Sequence, residues 1–391
     1  SFNDDDLRQH AYDVMSMDAT PIPVLYGVRM DDFLMDPNAT TDPTPTCALS
    51  EPYPLYRFVC IVVAGLIAIG GIGFNILLIA LFANRSCATT PPTLYPSALA
   101  VLDTLMCICY VLLMFIDAIV NYLRVESLYA LYYTYAISVY TVSKFVQLAI
   151  PYMLIFATLE RLVWISAKRK NTNRESRYAR IGGAFLLCAA LRLPTIWALE
   201  VQHHPKCEDV FRSLTTGPSE WGQQPYWEIF DFKIMTFVQT FIPFGILVAL
   251  NAIIVHRLKS MSVSCTKKSI QERDTLEFIV APVEHMYTAR STHSQVRSAI
   301  LTMVAIVTSY LLCNSLQLVL TFLEKTESTL LIDENDSGMS SVFHTSFGDI
   351  ISFLYMCTSA IRLFIYAICN NEIRRDLRAM FECNSPVAFR V

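Results

Sequence analysis

The sequence predicts an all-α membrane protein: a seven-transmembrane helix bundle with a short amphipathic eighth helix. Of its 391 residues, 54% are hydrophobic and only 16% are charged, whereas soluble proteins carry about 25% charged residues. Seven apolar stretches are long enough to cross about 30 Å of hydrocarbon at a rise of about 1.5 Å per residue. They fall near residues 56–82, 94–119, 134–166, 180–200, 232–256, 296–322 and 344–368.

The third and seventh stretches are the least apolar, because they are rich in Tyr, Ser and Thr. Such a segment still crosses a membrane when its polar face looks into a bundle of helices. The eighth helix is predicted over 372–381, where apolar residues at helical spacing share one face, as a membrane-surface helix requires: Ile373, Leu377, Met380 and Phe381. Cys383 follows directly and is a candidate palmitoylation site.

Basic residues in the short connections predict the orientation of the bundle. Those between spans three and four and between spans five and six are Lys168, Arg169, Lys170, Arg174, Arg177, Arg180, Arg257, Lys259, Lys267, Lys268, Arg273, Arg290 and Arg297. Both connections are therefore expected in the cytosol, which places the N-terminal tail outside. Residues 1–53 agree with this orientation, because they carry ten acids and only two bases.

Three regions are expected along the chain, with the plasma membrane as its location. Residues 1–53 form an acidic, largely disordered extracellular tail, because their hydrophobicity is low and Asp and Pro are frequent. Residues 54–369 form the transmembrane domain, and residues 370–391 form the membrane-surface helix with a short cytosolic tail. Two glycosylation sequons, at Asn38 and Asn335, both fall on the outer side.

Short motifs recur along the spans in a fixed order. They are Gly73-Phe74-Asn75, Leu99-Ala100-x-x-Asp103, Ala157-Thr158-Leu159-Glu160-Arg161-Leu162, Phe241-Ile242-Pro243-Phe244, Leu311-Leu312-Cys313-Asn314 and Ile361-Arg362-Leu363-Phe364-Ile365-Tyr366. Together they resemble a rhodopsin-like (class A) G-protein-coupled receptor over about residues 56–383. Finer features, such as Leu193-Pro194 and Leu250-Asn251, are similar to the invertebrate branch of receptors for FMRFamide-like neuropeptides.

The resemblance implies that Glu160, Arg161 and Tyr366 couple the receptor to a heterotrimeric G protein. In this family the arginine pairs with the preceding acid at rest and turns towards the G protein on activation. The alternative is an arginine at a helix end that extends to the lipid headgroups. The basic connection after the third span and the eighth helix fit the same G-protein-facing surface, beside membrane lipid.

Several positions depart from the family pattern. Asn314 and Leu316 replace the usual tryptophan and proline of the sixth helix, and Arg362 and Leu363 replace the asparagine and proline of the seventh. These positions convert ligand binding into helix movement, so two receptor hypotheses stay open. One is a cell-surface receptor for a small basic, amidated neuropeptide. The other is a receptor-like protein with weak or no G-protein coupling.

Asp103 and Arg362 are the two charges expected deepest in the bilayer. By helix rise they lie about 13 Å and 9 Å from the same membrane face. An unpaired charge at this depth costs several kcal/mol, so we expect an ion pair between them. The alternative is a protonated Asp103 and an Arg362 that extends to the headgroups. In most relatives this aspartate holds a sodium ion, whereas here a guanidinium would take its place and Ile150 replaces a polar neighbour.

Lys144 lies about 25 Å above Arg161 along the third span, near the floor of the usual ligand cavity. Tyr140 and Gln147 are one turn to either side and share its face. Asp349 lies at a similar height in the seventh span. Lys144 and Asp349 either pair, contact ligand, or are solvated at the cavity mouth. Arg192 is expected to extend outward without a partner.

Cysteine usage predicts one disulfide. Only Cys47 and Cys207 face the oxidising side, and Ala136 stands where the family has its third-helix cysteine. We therefore expect a Cys47–Cys207 bond. His203, His204 and Cys207 lack a fourth ligand, so an ordinary loop is favoured over a metal site.

The remaining function classes find little support. A transporter should show inverted repeats with broken helices, and no such pairs are visible. Retinal is excluded because the seventh span has no lysine for a Schiff base. No catalytic motif, metal site, cofactor or nucleic-acid partner is predicted. The outer segments are acid-rich, so we expect a peptide ligand of net positive charge.

Overall fold

The computed structural model describes residues 54–83, 94–165, 174–257, 283–326, 329–331 and 341–382. Seven of its helices are long and apolar enough to cross a membrane, which confirms the predicted seven-helix bundle. Large apolar side chains such as Leu186, Phe322 and Ile368 are exposed on the outside of the bundle. A face of this kind suits hydrocarbon rather than water.

The helices are α1 (Leu55–Ala83), α2 (Leu94–Leu123), α3 (Glu126–Ile165), α4 (Arg174–Arg192), α5 (Phe237–Arg257), α6 (Val283–Lys325), α7 (Val342–Cys369) and α8 (Asn371–Glu382). Short turns of helix cover Thr195–Ala198, Val210–Arg212, Pro225–Glu228 and Thr329–Leu331. Two strands, β1 (Leu199–His203) and β2 (Leu214–Pro218), pair antiparallel with Val201 opposite Thr216.

Small residues let α1 approach α2 and α7 closely. A Cβ added at Gly71 would lie 3.1 Å from Cys107 Sγ and 3.4 Å from the Cβ of Ala360. One turn further on, Asn75 Nδ2 donates to the carbonyl oxygens of Gly71 at 2.9 Å and Ser359 at 3.3 Å. Close backbone approach and a buried amide between helices are typical ways of holding a membrane bundle together.

α3 is the central helix and begins eight residues earlier than the sequence suggests. The predicted third span begins near residue 134, but Tyr129, Tyr132 and Tyr133 already belong to the helix and are buried. The phenol of Tyr129 donates to the carbonyl of Leu214 at 3.0 Å and accepts from the Leu214 amide at 2.9 Å. The start of α3 therefore holds the β-hairpin over one end of the bundle, called here the hairpin end.

The opposite end of the bundle carries Arg161 near the end of α3 and is called here the Arg161 end. At this end Asn370 separates α7 from α8, and its Oδ1 accepts from the amides of Glu372 at 3.1 Å and Ile373 at 3.4 Å. Asn370 is therefore the N-terminal cap of α8, which begins a new helix after α7 ends. Ile373 is 2% exposed and packs against the core.

Backbone irregularities on the α5 side create the polar wall of the site described below. Ile229–Ile234 and Phe237–Phe241 are π-helical, a form that is frequent at functional sites. Tyr152 of α3 donates its hydroxyl to the carbonyl of Val238 at 2.9 Å. The first π-helical turn carries Asp231, which the sequence assigned to a loop.

Several predicted features lie outside the described residues: the disordered tail, Cys47, Cys383 and both sequon asparagines, Asn38 and Asn335. Cys207 takes part in a disulfide. Its pairing with Cys47 stays a prediction. The cysteines that the sequence placed in the spans are all free thiols, namely Cys60, Cys107, Cys109, Cys188, Cys313, Cys357 and Cys369.

Candidate functional site

A cavity of about 150 Å³ runs from the hairpin end towards the middle of the bundle. Residues of α2, α3, α5, α6 and α7 line it, among them Tyr140, Lys144 and Gln147, the predicted ligand-binding residues of α3. One water needs about 10–15 Å³, so the cavity has room for several waters or for part of a ligand.

Lys144 is buried in the cavity wall. It is 4% exposed, and its Nζ lies 5.2 Å from the centroid of the Tyr140 ring, over the face of the ring. No carboxylate of the described residues lies within ion-pair distance of this ammonium. An aromatic face stabilises a cation by about 0.5–2 kcal/mol, much less than an anion in the same place.

The position of Arg192 differs from the sequence prediction, in which its side chain extends outward without a partner. It is 4% exposed and points into the bundle, where its Nη1 lies 2.5 Å from Asp231 Oδ1 and its Nη2 donates to Gln239 Oε1. Gln239 Nε2 in turn donates to Gln147 Oε1 at 3.3 Å. The prediction was wrong because Asp231 was read as part of a loop, which left Arg192 without a visible anion.

Asp349 also differs from expectation. Its Oδ2 accepts from Arg57 Nε of α1 at 3.0 Å, and the two side chains are 9% and 8% exposed. Asp349 and Lys144 are therefore not solvated residues at a cavity mouth, and they do not pair with each other. Asp349 is not among the residues that line this cavity, and its role as a ligand contact stays a prediction.

Asp103 and Arg362 lie in contact at the lower end of the same cavity. Arg362 Nη1 is 2.5 Å from Asp103 Oδ2, and the side chains are 4% and 1% exposed. Both residues line the cavity together with Ser359. The guanidinium therefore occupies the space next to Asp103, and it connects α7 to α2 where the family resemblance implies a sodium ion.

Asn314 of α6, at the position of the family's usual tryptophan, bonds directly to α7. Its Oδ1 accepts from the hydroxyl of Tyr355 at 2.6 Å, and it is 4% exposed. Nearby, the thiol of Cys313 lies 2.8 Å from the hydroxyl of Thr358. Asn314 lines the same cavity as Arg362.

The predicted coupling residues gather at the Arg161 end. Arg161 and Tyr366 are each 6% exposed, and the Tyr366 ring packs edge-on against Phe82 with 5.3 Å between centroids. Glu160 Oε1 lies 3.0 Å from Arg177 Nε of α4. In the sequence, Arg177 is only one of many basic residues in the connection between spans three and four. Its role as a partner of Glu160 was missed, because the two lie on different helices.

This arrangement of a seven-helix bundle, a polar cavity at one end and a buried Glu-Arg motif at the other defines a membrane receptor. The family model described as 7 transmembrane receptor (rhodopsin family) matches residues 74–366. The chain therefore belongs to the rhodopsin family of seven-transmembrane receptors. It is a receptor and not an enzyme, and the family implies a multi-pass plasma-membrane protein with ligand and G-protein partners in general.

Solved structures give a fold-level likeness. The crystal structure of squid rhodopsin matches with a TM-score of 0.57 and 14% sequence identity, covering 88% of this chain and 86% of that one. At this identity the likeness concerns the fold alone, and α7 contains no lysine for a Schiff base. The search of curated proteins gives no match.

Proposed function

We propose that the chain is a cell-surface receptor for a small basic, amidated neuropeptide, with its hairpin end and N-terminus outside the cell. The observation that carries this proposal is the position of the cavity. It lies on the hairpin side of the bundle, and the Glu160-Arg161 motif lies at the opposite end. A ligand that enters at one end can thereby act on a partner at the other.

The charge around the hairpin supports a ligand of net positive charge. Glu200, Glu208 and Glu220 are exposed at this end. A field of one sign raises the local concentration and association rate of an opposite charge. We expect peptide association to slow as salt is raised, which kinetics of a labelled peptide at two salt concentrations would measure. An uncharged or acidic agonist with salt-independent association contradicts this part of the proposal.

Coupling to a heterotrimeric G protein is tested by calcium and cyclic-AMP responses of cells that express the chain, screened with amidated peptides. Arg161→Gln is expected to abolish the response while ligand binding remains. The surface level of Arg161→Gln is measured in the same cells, so that a lost response is not confused with a lost receptor. Equal responses from wild type and Arg161→Gln would argue against Arg161 as the coupling residue.

A second hypothesis is a receptor-like protein that binds ligand with weak or no coupling. The bond between Asn314 and Tyr355 favours it, because α6 and α7 are joined where relatives carry the switch residues. Peptide binding without a second-messenger response, in cells where a control receptor responds, distinguishes this protein from a coupled one.

A further inference from the structure

We propose that the ligand carries an anionic group, most simply a carboxylate, that binds Lys144 in the cavity. The inference rests on the proposed ligand-receptor function and adds the chemistry of the part of the ligand that enters the bundle.

Beside the cavity, buried charges of the described residues form arginine–aspartate pairs, and Lys144 belongs to none of these pairs. Each pair joins different parts of the chain at 2.5–3.0 Å: Arg57–Asp349, Arg192–Asp231 and Arg362–Asp103. The carboxylate nearest to Lys144 along the cavity wall, Asp231, is already engaged by Arg192 and does not reach ion-pair distance of Lys144. Among the described residues of the cavity wall, Lys144 is therefore a cation without a counter-ion.

Burying a cation without a counter-ion costs free energy. We therefore expect a bound ligand to supply the anion. Lys144 is 4% exposed, lines the cavity and has the ring of Tyr140 on one side. Because the ring covers only one side of the ammonium, a ligand in the cavity can approach it from another side. An ion pair formed there adds charge-assisted hydrogen bonds, which are stronger than those of a neutral acceptor.

The neighbouring groups suit a carboxylate that is held at one oxygen by Lys144. The side-chain amides of Gln147 and Gln239 and the hydroxyl of Ser143 line the same wall. They are connected, since Gln147 Nε2 donates to Ser143 Oγ at 3.3 Å and Gln239 Nε2 donates to Gln147 Oε1. These hydrogen-bonded side chains can rotate so that one of them donates to the second oxygen of the ligand carboxylate.

The acidic hairpin end and the cationic cavity wall together describe a polarised ligand. Its basic residues remain near the exposed acids of the hairpin end, and one acidic group reaches Lys144. A terminal amide carries no charge, so in an amidated peptide the anion comes from an Asp or Glu side chain. The cavity has room for part of a ligand, which fits this division.

The first test measures binding alone, with 3-phenylpropanoate and the isosteric 3-phenylpropanamide as probes. Thermal unfolding of the purified full chain is followed with a thiol-reactive dye, since Cys107, Cys109 and Cys313 are buried free thiols. At about 20 mM probe we expect the acid to raise the melting temperature by about 2 °C more than the amide at equal ionic strength. Lys144→Gln should remove this difference.

Two variants guard against misfolding and general salt effects. Lys144→Arg keeps the charge and should keep the difference between acid and amide. Lys233→Gln makes the same chemical change at an exposed lysine and should also keep it. Equal shifts by the two probes in wild type, or a difference that persists in Lys144→Gln, overturn the inference.

The second test uses agonists from the peptide screen. Replacing their acidic residue, Asp→Asn or Glu→Gln, should weaken them at least about tenfold in wild type and little in Lys144→Gln. An agonist with no anionic group that depends on Lys144 overturns the inference. A carboxylate-specific melting shift without any signalling would instead count against the proposed coupling, because melting needs no G protein.

Discussion

Arg177 Nε lies 3.0 Å from Glu160 Oε1 and joins the first turn of α4 to the end of α3 beside Arg161. Their side chains are 21% and 9% exposed, so the pair is partly protected from water. Glu160 therefore has arginines on two sides, the neighbouring Arg161 along the chain and Arg177 across the helix interface. The carboxylate that borders the coupling residue is also a connection between helices.

The first prediction concerns the stability of this connection. A partly buried pair of this geometry is expected to contribute about 1 kcal/mol, so Arg177→Gln and Glu160→Gln should each lower the melting temperature. Their double variant should lose less than the sum of the two. Arg378→Gln, which removes an exposed charge on α8, should leave the melting temperature unchanged. Strict additivity of Arg177→Gln and Glu160→Gln would mean that the contact contributes nothing.

The second prediction concerns Asp103 and Arg362. Removing one partner leaves a buried charge, which costs about 3–5 kcal/mol, whereas removing both leaves none. Asp103→Asn and Arg362→Gln should each reduce surface expression strongly, and the double variant should recover part of it. Flow cytometry of an epitope on the N-terminal tail measures this. A double variant no better than the worse single variant would show that the pair is not formed in the cell.

The third prediction is that sodium has no specific effect on this receptor. The Arg362 guanidinium already occupies the place beside Asp103, and Ile150 offers no oxygen to a cation. Ligand affinity and melting temperature should therefore be the same in sodium chloride and in choline chloride at equal concentration. Arg362→Gln removes this guanidinium and provides the contrast: the fraction that folds should depend on sodium more than wild type does, even with Ile150 in place. A sodium-specific shift in wild type would contradict the prediction.

The fourth prediction concerns the partner of Cys207. We expect it to be Cys47, which would tie the N-terminal tail to the β-hairpin. Closing so long a loop contributes about 4 kcal/mol or more in the chain-entropy model. Mass spectrometry of a non-reducing digest should find the cross-linked peptide, and Cys47→Ser should lower the melting temperature as much as Cys207→Ser. A linked peptide with any other cysteine would disprove the pairing.

The sequence predicted the seven spans because a run of apolar residues of sufficient length has few other stable structures. It did not predict where α3 begins, since Tyr129 and Tyr132 are buried under a hairpin whose packing no local pattern reveals. For the site, the pair of Asp103 and Arg362 could be predicted because both residues lie at a similar depth in the membrane. Depth is one of the few quantities that a sequence provides for comparing residues on different helices.

The other two interior pairs were missed for one physical reason. Arg57 and Arg192 both stand near the end of a span, where a basic residue usually extends to the headgroups. Which way such a side chain turns depends on whether an acid on another helix faces it. Asp349 lies 292 residues from Arg57, and Asp231 is placed by a π-helical turn that the sequence does not announce. Depth alone could not identify these partners.

The pair between Arg57 and Asp349 also has a consequence for biosynthesis. Arg57 enters the membrane with the first helix to be synthesised, and its carboxylate arrives only with the last. At about 5–20 residues per second, the ribosome takes roughly 15–60 s to make the intervening 292 residues. During that interval α1 carries a charge with no partner from α7. The nascent chain is therefore expected to remain beside the insertion machinery until α7 emerges, which makes a truncated chain a substrate for quality control.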